Sequence, residues 1–254
     1  MIFASVVIVT KDEEENIKDA IESIKDFSEI IIIDSFSSDR TVDICKKYTD
    51  KIFQEEWKGY AKQKQLGIDR ASMPWVLILD ADERLTPELK AEIISVMDNK
   101  GHSGFYIARK NFFLGKWIRH GGWWPDYTLR LFRKDRAFME EREVHEKVIV
   151  KGNTGYLKNP MVHYTSRNLS DFLKKLEVYS TLSAKEMGKK GVRPGIFSLV
   201  LRPFFTFFKM FLIRRGFLDG SYGLILAVLY SYHNFLKYAK SWQNQNREGR
   251  IVCM

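Results

Sequence analysis

Three short apolar runs, residues 5–9, 29–33 and 75–79, each stop at a polar side chain: Thr10, Asp34 and Asp80. Runs this short and rich in β-branched residues read as strands buried on both faces, which a parallel sheet covered by helices provides. The segments between them carry helical spacing. Ile17, Ala20, Ile21 and Ile24 share one face, with Thr10 or Asp12 available as a cap and residues 12–15 placing acids at the helix's positive end. Val42, Cys45 and Tyr48 mark a second helix, residues from about 60 to 70 a third, and Pro87 opens a fourth with Leu89, Ile93, Ile94 and Met97 inward. Ile52 and Phe53 make a short additional strand. This alternation predicts a doubly wound, mostly parallel α/β sheet with right-handed crossovers.

Such sheets bind ligands beyond the carboxyl ends of their strands. The run 75–79 delivers Asp80, Ala81 and Asp82 to that edge. Two carboxylates at i and i+2 suit an oxygen-preferring divalent ion, Mg2+ or Mn2+, held against a substrate phosphate; a solvated turn uses the same residues. Neither GxGxxG nor GxxxxGK[ST] occurs, which argues against a dinucleotide fold or a P-loop enzyme. The two cysteines, Cys45 and Cys253, have no CxxC spacing, so neither a disulfide framework nor a thiolate metal site is expected, and a reducing compartment fits. The first ten residues lack a basic leader and a small-residue cleavage site, so no secretory signal is expected there.

The 254 residues suit one domain of ordinary size with an appendage, or two small ones. Composition shifts near Gly101, where aromatic-rich strands and loops begin, and again near Gly195. The expected organisation is therefore a nucleotide-binding half over 1–100, an acceptor-side half of the same domain over 101–190, and a helical tail over 191–254. The formal charge of +9 resides at the C-terminal end, in that tail and the residues just before it: from Gly188 onward eleven Lys or Arg residues face only Asp219 and Glu248, so residues 1–187 are neutral. A neutral body with a basic, aromatic tail points to anionic lipid headgroups and away from nucleic acid. Residues 196–213 are almost wholly apolar, with Arg202, Thr206 and Lys209 forming a polar stripe and Pro203 interrupting; residues 222–236 are shorter and contain His233 and Asn234. These features predict a helix pair lying in the membrane interface, with Arg214, Arg215, Lys237 and Lys240 at headgroup level and Trp242 as an anchor. A buried helical hairpin closing the core or a homo-oligomer is the alternative.

Several segments carry a resemblance: residues 7–14, Val-Ile-Val-Thr-Lys-Asp-Glu-Glu; residues 32–41, Ile-Ile-Asp-Ser-Phe-Ser-Ser-Asp-Arg-Thr; residues 61–67, Ala-Lys-Gln-Lys-Gln-Leu-Gly; and residues 79–83, Leu-Asp-Ala-Asp-Glu. Together they resemble the family 2 inverting glycosyltransferases, whose "VDSxSxDxT", "aKNxG" and "DAD" segments they match, with Gln65 in place of the usual Asn. Residues 124–133, then Val144-His145-Glu146, His163-Tyr164 and residues 216–220 look like the lipopolysaccharide core branch related to inner-core β-1,4-glucosyltransferases. The resemblance covers nearly the whole chain. It implies the GT-A fold and transfer of a sugar, glucose from UDP-glucose in the first instance, onto a lipid-linked saccharide at the cytoplasmic face of the inner membrane.

The resemblance also implies roles. Glu13 or Glu14 and Asp34, with Thr10 and Ser35 beside them, would hold the base and ribose of a nucleoside diphosphate sugar. Asp80, next to Ala81, would contact ribose or metal, and Asp82 would bind the divalent cation, Mn2+ or Mg2+, that bridges the phosphates. Lys64 adds a charge there, and His163 would complete the metal shell. Inversion needs a base for the acceptor hydroxyl's proton. Asp126 occupies the place of the Asp in the family's "ED" motif, with Pro125 replacing the Glu, and Glu146 is the rival. Arg119, His120, Trp123 and Trp124 form a basic, aromatic loop suited to sugar rings and acceptor phosphates. Polyprenyl phosphate as acceptor, another donor such as GDP-mannose, and a non-catalytic lipid- or nucleic-acid-binding module are the competing readings.

Overall fold

The computed structural model describes residues 1–98, 101–140 and 147–251. In chain order the elements are β1 (Ile2–Thr10), α1 (Ile17–Glu22), β2 (Phe27–Asp34), α2 (Thr41–Cys45), β3 (Ile52–Gln54), α3 (Tyr60–Arg70), β4 (Trp75–Asp80), β5 (Glu83–Arg84), α4 (Pro87–Met97), β6 (Gly104–Phe113), β7 (Lys116–Trp117), β8 (Asp126–Arg133), β9 (Ala137–Glu140), β10 (Lys147–Val150), β11 (Thr154–Tyr156), β12 (Met161–Ser166), α5 (Leu169–Lys189), α6 (Ile196–Phe208) and α7 (Ser221–Ile251). The chain forms two compact units. One comprises Met1–Lys110 and Asp126–Tyr164, the other Asn111–Pro125 and Thr165–Met254.

In the first unit the strands follow the order β3-β2-β1-β4-β8-β6-β12-β5, with β11 beside β6. β3, β2, β1 and β4 are mutually parallel, as the strand–helix alternation predicts, while β8 joins β4 antiparallel and extends the same sheet. The period of two along a strand sends alternate side chains to opposite faces. Val6, Ile8, Ile32, Leu77 and Leu79 join a core with Ile17, Ile21, Leu89 and Ile93 from α1 and α4. Val7, Ile31, Ile33, Val76 and Ile78 pack against Ala61 and Ile68 of α3. Helices on both faces are what makes these strands apolar throughout. α3 lies close on its strand because Gly67 has no side chain: a Cβ there would stand 2.2 Å from Val7 Cγ1. In-register pairing sets Thr10 opposite Asp34 and Val9 opposite Asp80, so three strands end together at one edge.

The second unit has its own core, in which Phe113, Ile118 and Trp123 meet Phe172, Leu176 and Leu226. The sequence-based divisions at residues 100 and 190 do not coincide with the two units. The stretch from 101 continues the first sheet through the β6–β8 ladder, whereas residues 111–125 and α5 belong with the C-terminal helices.

The tail helices differ from expectation in three respects. Pro203, expected to interrupt the apolar stretch, lies inside α6 and is buried, and Ser231 of α7 donates to its carbonyl at 2.9 Å. α7 continues well past residue 236, and Lys240 on its later turns donates to Glu177 Oε1, Ser180 Oγ and Thr181 Oγ1 of α5 at 2.7–2.8 Å, so that ammonium is knit into the unit and not placed at a headgroup level. The polar stripe of α6 is also turned towards α7: Arg202 donates to the Tyr238 hydroxyl at 2.8 Å, and Thr206 Oγ1 accepts from Asn234 at 2.6 Å. Lys237 lies 5.0 Å from the Tyr238 ring, and burial, with Arg202 nearby, pushes its ammonium pKa down. Most of what α6 leaves outside is apolar, including Phe197 at 74% exposure and Phe204 and Phe205 at about 60%, with Arg202 also exposed. Residues 196–213 are, by length and composition, apolar enough to cross a membrane.

Candidate active site

The edge where β4 ends carries a chain of alternating charges. Asp80 receives Lys64 Nζ from α3 at 3.1 Å on Oδ1 and the Arg130 guanidinium from β8 on Oδ2. Arg130 donates also to Glu83 Oε1 at 2.5 Å, and Glu83 Oε2 accepts the Asp80 backbone N–H at 2.9 Å. Arg109 of β6 lies 3.5 Å from Glu83 Oε1 and holds Asp126 Oδ2 through Nε at 2.9 Å and Nη2 at 2.6 Å. The Arg109–Asp126 pair is set by strand register, since the two residues are directly opposed in the β6–β8 ladder.

Burial alone would raise the Asp80 carboxyl, but the Arg130 and Lys64 charges overcome it and hold the group well below the usual carboxylate range. Burial likewise opposes the charge on Arg130, and Asp80 and Glu83 together push its pKa up. A buried guanidinium needs such partners, because an unpaired charge in the interior is costly.

Beyond Asp80 the chain turns through Ala81, which is buried, and returns along β5. β5 pairs antiparallel with β12, setting His163 opposite Glu83, and Tyr164 N donates to the Asp82 carbonyl at 2.9 Å. This brings His163 Nε2 to 3.4 Å from Asp82 Oδ2, both side chains mostly buried. The three expected metal ligands therefore do not gather. Among the described residues no group of three His, Cys, Asp or Glu side chains comes together, because Asp80 is turned to Lys64 and Arg130 while Asp82 and His163 form a pair.

The remaining expected site residues lie on the adjoining strand ends. Asp34 is fully buried and accepts from Ser37 N at 3.0 Å and Gln54 Nε2 at 3.3 Å, with Phe36 at positive φ shaping that loop. Ser35 Oγ accepts from Gln63 at 3.1 Å. The buried Thr10 hydroxyl has no hydrogen-bond partner among the described residues. Glu13 accepts from Asn16 at 2.8 Å and Glu14 from Arg40 at 3.0 Å, which ties both into the loops after β1 and β2. Gln65 faces away from this edge and accepts from Met139 N at 2.8 Å. His145 and Glu146 lie outside the described residues.

Comparison with known proteins decides what this arrangement belongs to. Residues 5–161 match Glycosyl transferase family 2. The chain is a family 2 glycosyltransferase. The glycosyltransferase is 30% identical, over 97% of its length and 94% of the relative's, to "Lipopolysaccharide core biosynthesis glycosyltransferase LpsC" of Rhizobium meliloti. It is 28% identical to an uncharacterized glycosyltransferase of Rickettsia conorii over 98% of its own length and 93% of that protein's. Among solved structures, S. aureus TarS 1–349 in complex with UDP superposes with a TM-score of 0.50 at 16% identity, covering 98% of this chain and 92% of the other, a likeness of fold. The GT-A architecture expected from the sequence motifs is therefore the fold of this glycosyltransferase. The family match stops at residue 161 whereas the LpsC match covers nearly the whole chain, so the sequence likeness to that relative extends through the C-terminal segment.

Sequence reasoning missed Glu83, Arg130 and Arg109 as parts of the site. One signal was present: Arg130 interrupts the apolar run Phe132, Leu131, Leu129 on a strand, and a charged residue in such a run is buried only when paired.

Proposed function

We propose that this glycosyltransferase moves glucose from UDP-glucose, with inversion, onto a lipid-linked saccharide of the lipopolysaccharide inner core at the cytoplasmic face of the membrane. The observation that carries the reading is the Asp82–His163 pair at 3.4 Å, set beside an Asp80 whose charge is fixed by Lys64 and Arg130. The full-length likeness to LpsC supports the acceptor class, and the UDP held by TarS, which has the same fold, supports a uridine nucleotide.

A carboxylate and an imidazole form an oxygen and nitrogen donor set, which fits Mn2+ better than the all-oxygen shell that Mg2+ prefers. Asp82 and His163 would hold such a cation, whose charge would offset the negative charge on the departing diphosphate. Asp34, Ser35 and the unpartnered Thr10 hydroxyl offer the nucleoside its polar contacts. Glu13 and Glu14 brace the loops around it. Lys64 adds positive charge near the diphosphate, while Ala81 leaves the turn small. Asp126 takes the proton of the attacking hydroxyl, and Arg109 keeps its carboxylate oriented for that task. Glu146 is the other base candidate. The outward aromatic face of α6, fringed by Arg193, Lys209, Arg214 and Arg215, rests on an anionic bilayer, where basic residues add to apolar burial.

Turnover of UDP-glucose with Mn2+ tests the site. Asp82→Ala should lose about 100-fold or more in kcat, the scale of removing one stabiliser of developing charge. Asp126→Asn should lose a comparable amount, about 100-fold, with the KM for UDP-glucose retained. Undiminished activity of Asp82→Ala in Mn2+ overturns the metal assignment; undiminished activity of Asp126→Asn moves the base to Glu146.

A further inference from the structure

The loop 117–124 of the second unit is built on an aspartate a hundred residues away in sequence. Asp219 ends the short 3-10 turn Gly216–Asp219 between α6 and α7, and its side chain is only 4% exposed. Its Oδ2 accepts the backbone N–H of His120 at 2.8 Å and of Arg119 at 3.2 Å, and its carbonyl accepts Lys116 Nζ at 2.9 Å. His120 Nδ1 lies 3.3 Å from Oδ1. The segment just before this turn holds the next residue, because Gly121 N donates to the Arg214 carbonyl at 2.9 Å. Gly122, at φ +89°, lets the Arg214 guanidinium pass where a Cβ would stand 2.1 Å away.

This anchoring sorts the aromatic residues of the loop. Trp123 points into the core against Phe113 and is buried, so it is packing and not part of a ligand surface as the sequence led us to expect. Trp117 and Trp124 stay half-exposed, edge to face at 5.5 Å, and the exposed Arg119 guanidinium lies 4.2 Å from the Trp117 ring. Indole faces beside a guanidinium suit a saccharide bearing an anionic group, the ring stacking on the aromatic and the anion pairing with the fork.

We propose that Asp219 is a positioning residue for the acceptor: by fixing the Arg119–His120 backbone it sets Trp117, Arg119 and Trp124 as a platform for a phosphorylated saccharide. This rests on the glycosyl-transfer reading above and adds the residues that select the acceptor. It also gives the tail turn a part in acceptor recognition, separate from any lipid contact of α6.

The test uses the full chain and deacylated lipopolysaccharide core oligosaccharide, with and without prior phosphatase treatment. Indole fluorescence should report tighter binding of the phosphorylated form to the wild type, by about tenfold, and Arg119→Ala should abolish that difference. In transfer assays Asp219→Ala should raise the acceptor KM about tenfold or more, with kcat at saturating acceptor and the KM for UDP-glucose both within about twofold of wild type. Asp219→Asn, which keeps one carbonyl acceptor for the His120 N–H, should recover part of that loss. Arg119 is exposed, so its variant tests the platform even where Asp219→Ala fails to fold. Equal binding of the two oligosaccharides to wild type, or an unchanged acceptor KM in Asp219→Ala, overturns the proposal while leaving glycosyl transfer intact. A wild-type chain that binds the phosphorylated oligosaccharide but turns over no UDP-sugar instead overturns the transfer reading and leaves the platform standing.

Discussion

A carboxylate placed on an interior strand must draw donors from neighbouring segments, and Glu29 of β2 does so from three. Ser5 Oγ and Lys51 Nζ approach it closely, and Ser72 donates through its N–H at 2.8 Å and its hydroxyl at 2.9 Å. Burial acts to raise the group, yet Lys51, Ser5 and Ser72 outweigh it and lower the pKa from 4.5 to about 2. A depressed carboxylate stabilises the fold above its unfolded value, and that contribution is lost as pH falls from 4.5 through about 2. Glu29→Gln should therefore cost about 1–3 kcal/mol at pH 7 and much less near pH 2. Urea unfolding at the two pH values measures this; an equal cost at both would show that the charge is not what matters. The polar side chains Thr10, Asp34 and Asp80 of the sheet edge were legible because each directly follows an apolar run, and Asp82 because it lies two residues beyond Asp80. Arg130 and Arg109 were not, because their partners arrive only when β8 joins β4 and β6 antiparallel, pairings with no local signature.

At the level of elements, the fit of α3 on β1 depends on one missing methyl. Ala in place of Gly67 gains helix propensity of about 1 kcal/mol, but its Cβ would meet the Val7 side chain, a stiff β-branched residue that is fully buried. Overpacking of this kind costs about 1–3 kcal/mol, so Gly67→Ala should lower the melting temperature by several degrees. A neutral or raised melting temperature would refute the close approach. Spacing was enough to read α3 and α4, whose apolar faces meet the sheet in the usual sense, except that Ile94, expected inward, lies 54% exposed one position round the helix from the buried Ile93. For α6 it gave the polar stripe but not its surroundings, because period tells which residues share a face but not what that face meets. Arg202 and Thr206 of that stripe look at Tyr238 and Asn234, polar partners that a distant part of the sequence supplies.

For the molecule as a whole, the interleaved units decide how membrane attachment should be tested. Removing residues after about 191 would strip Met210, Leu226 and Ala227 from the core that covers Phe113 and Trp123, so lost binding would be confounded with lost packing. Substituting the outward face is cleaner: Phe197→Ser, Phe204→Ser and Phe205→Ser together should cut sedimentation with phosphatidylglycerol vesicles at least about tenfold, since each buried Phe contributes about 1.5–3 kcal/mol. Unchanged sedimentation would sink the bilayer reading of α6. The composition shifts marked where the sequence changes character, but they could not show that 111–125 leaves one unit and returns to it. That excursion has a consequence during synthesis on the ribosome. Every residue of the first unit has been made by Tyr164, while the core around Phe113, Ile118 and Trp123, begun by Phe172 and Leu176, is complete only when Leu226 and Ala227 emerge. At ordinary elongation speed that interval is on the order of ten seconds. Throughout it the nascent chain displays an incompletely covered aromatic hairpin, the segment that a chaperone or a neighbouring nascent chain would meet first.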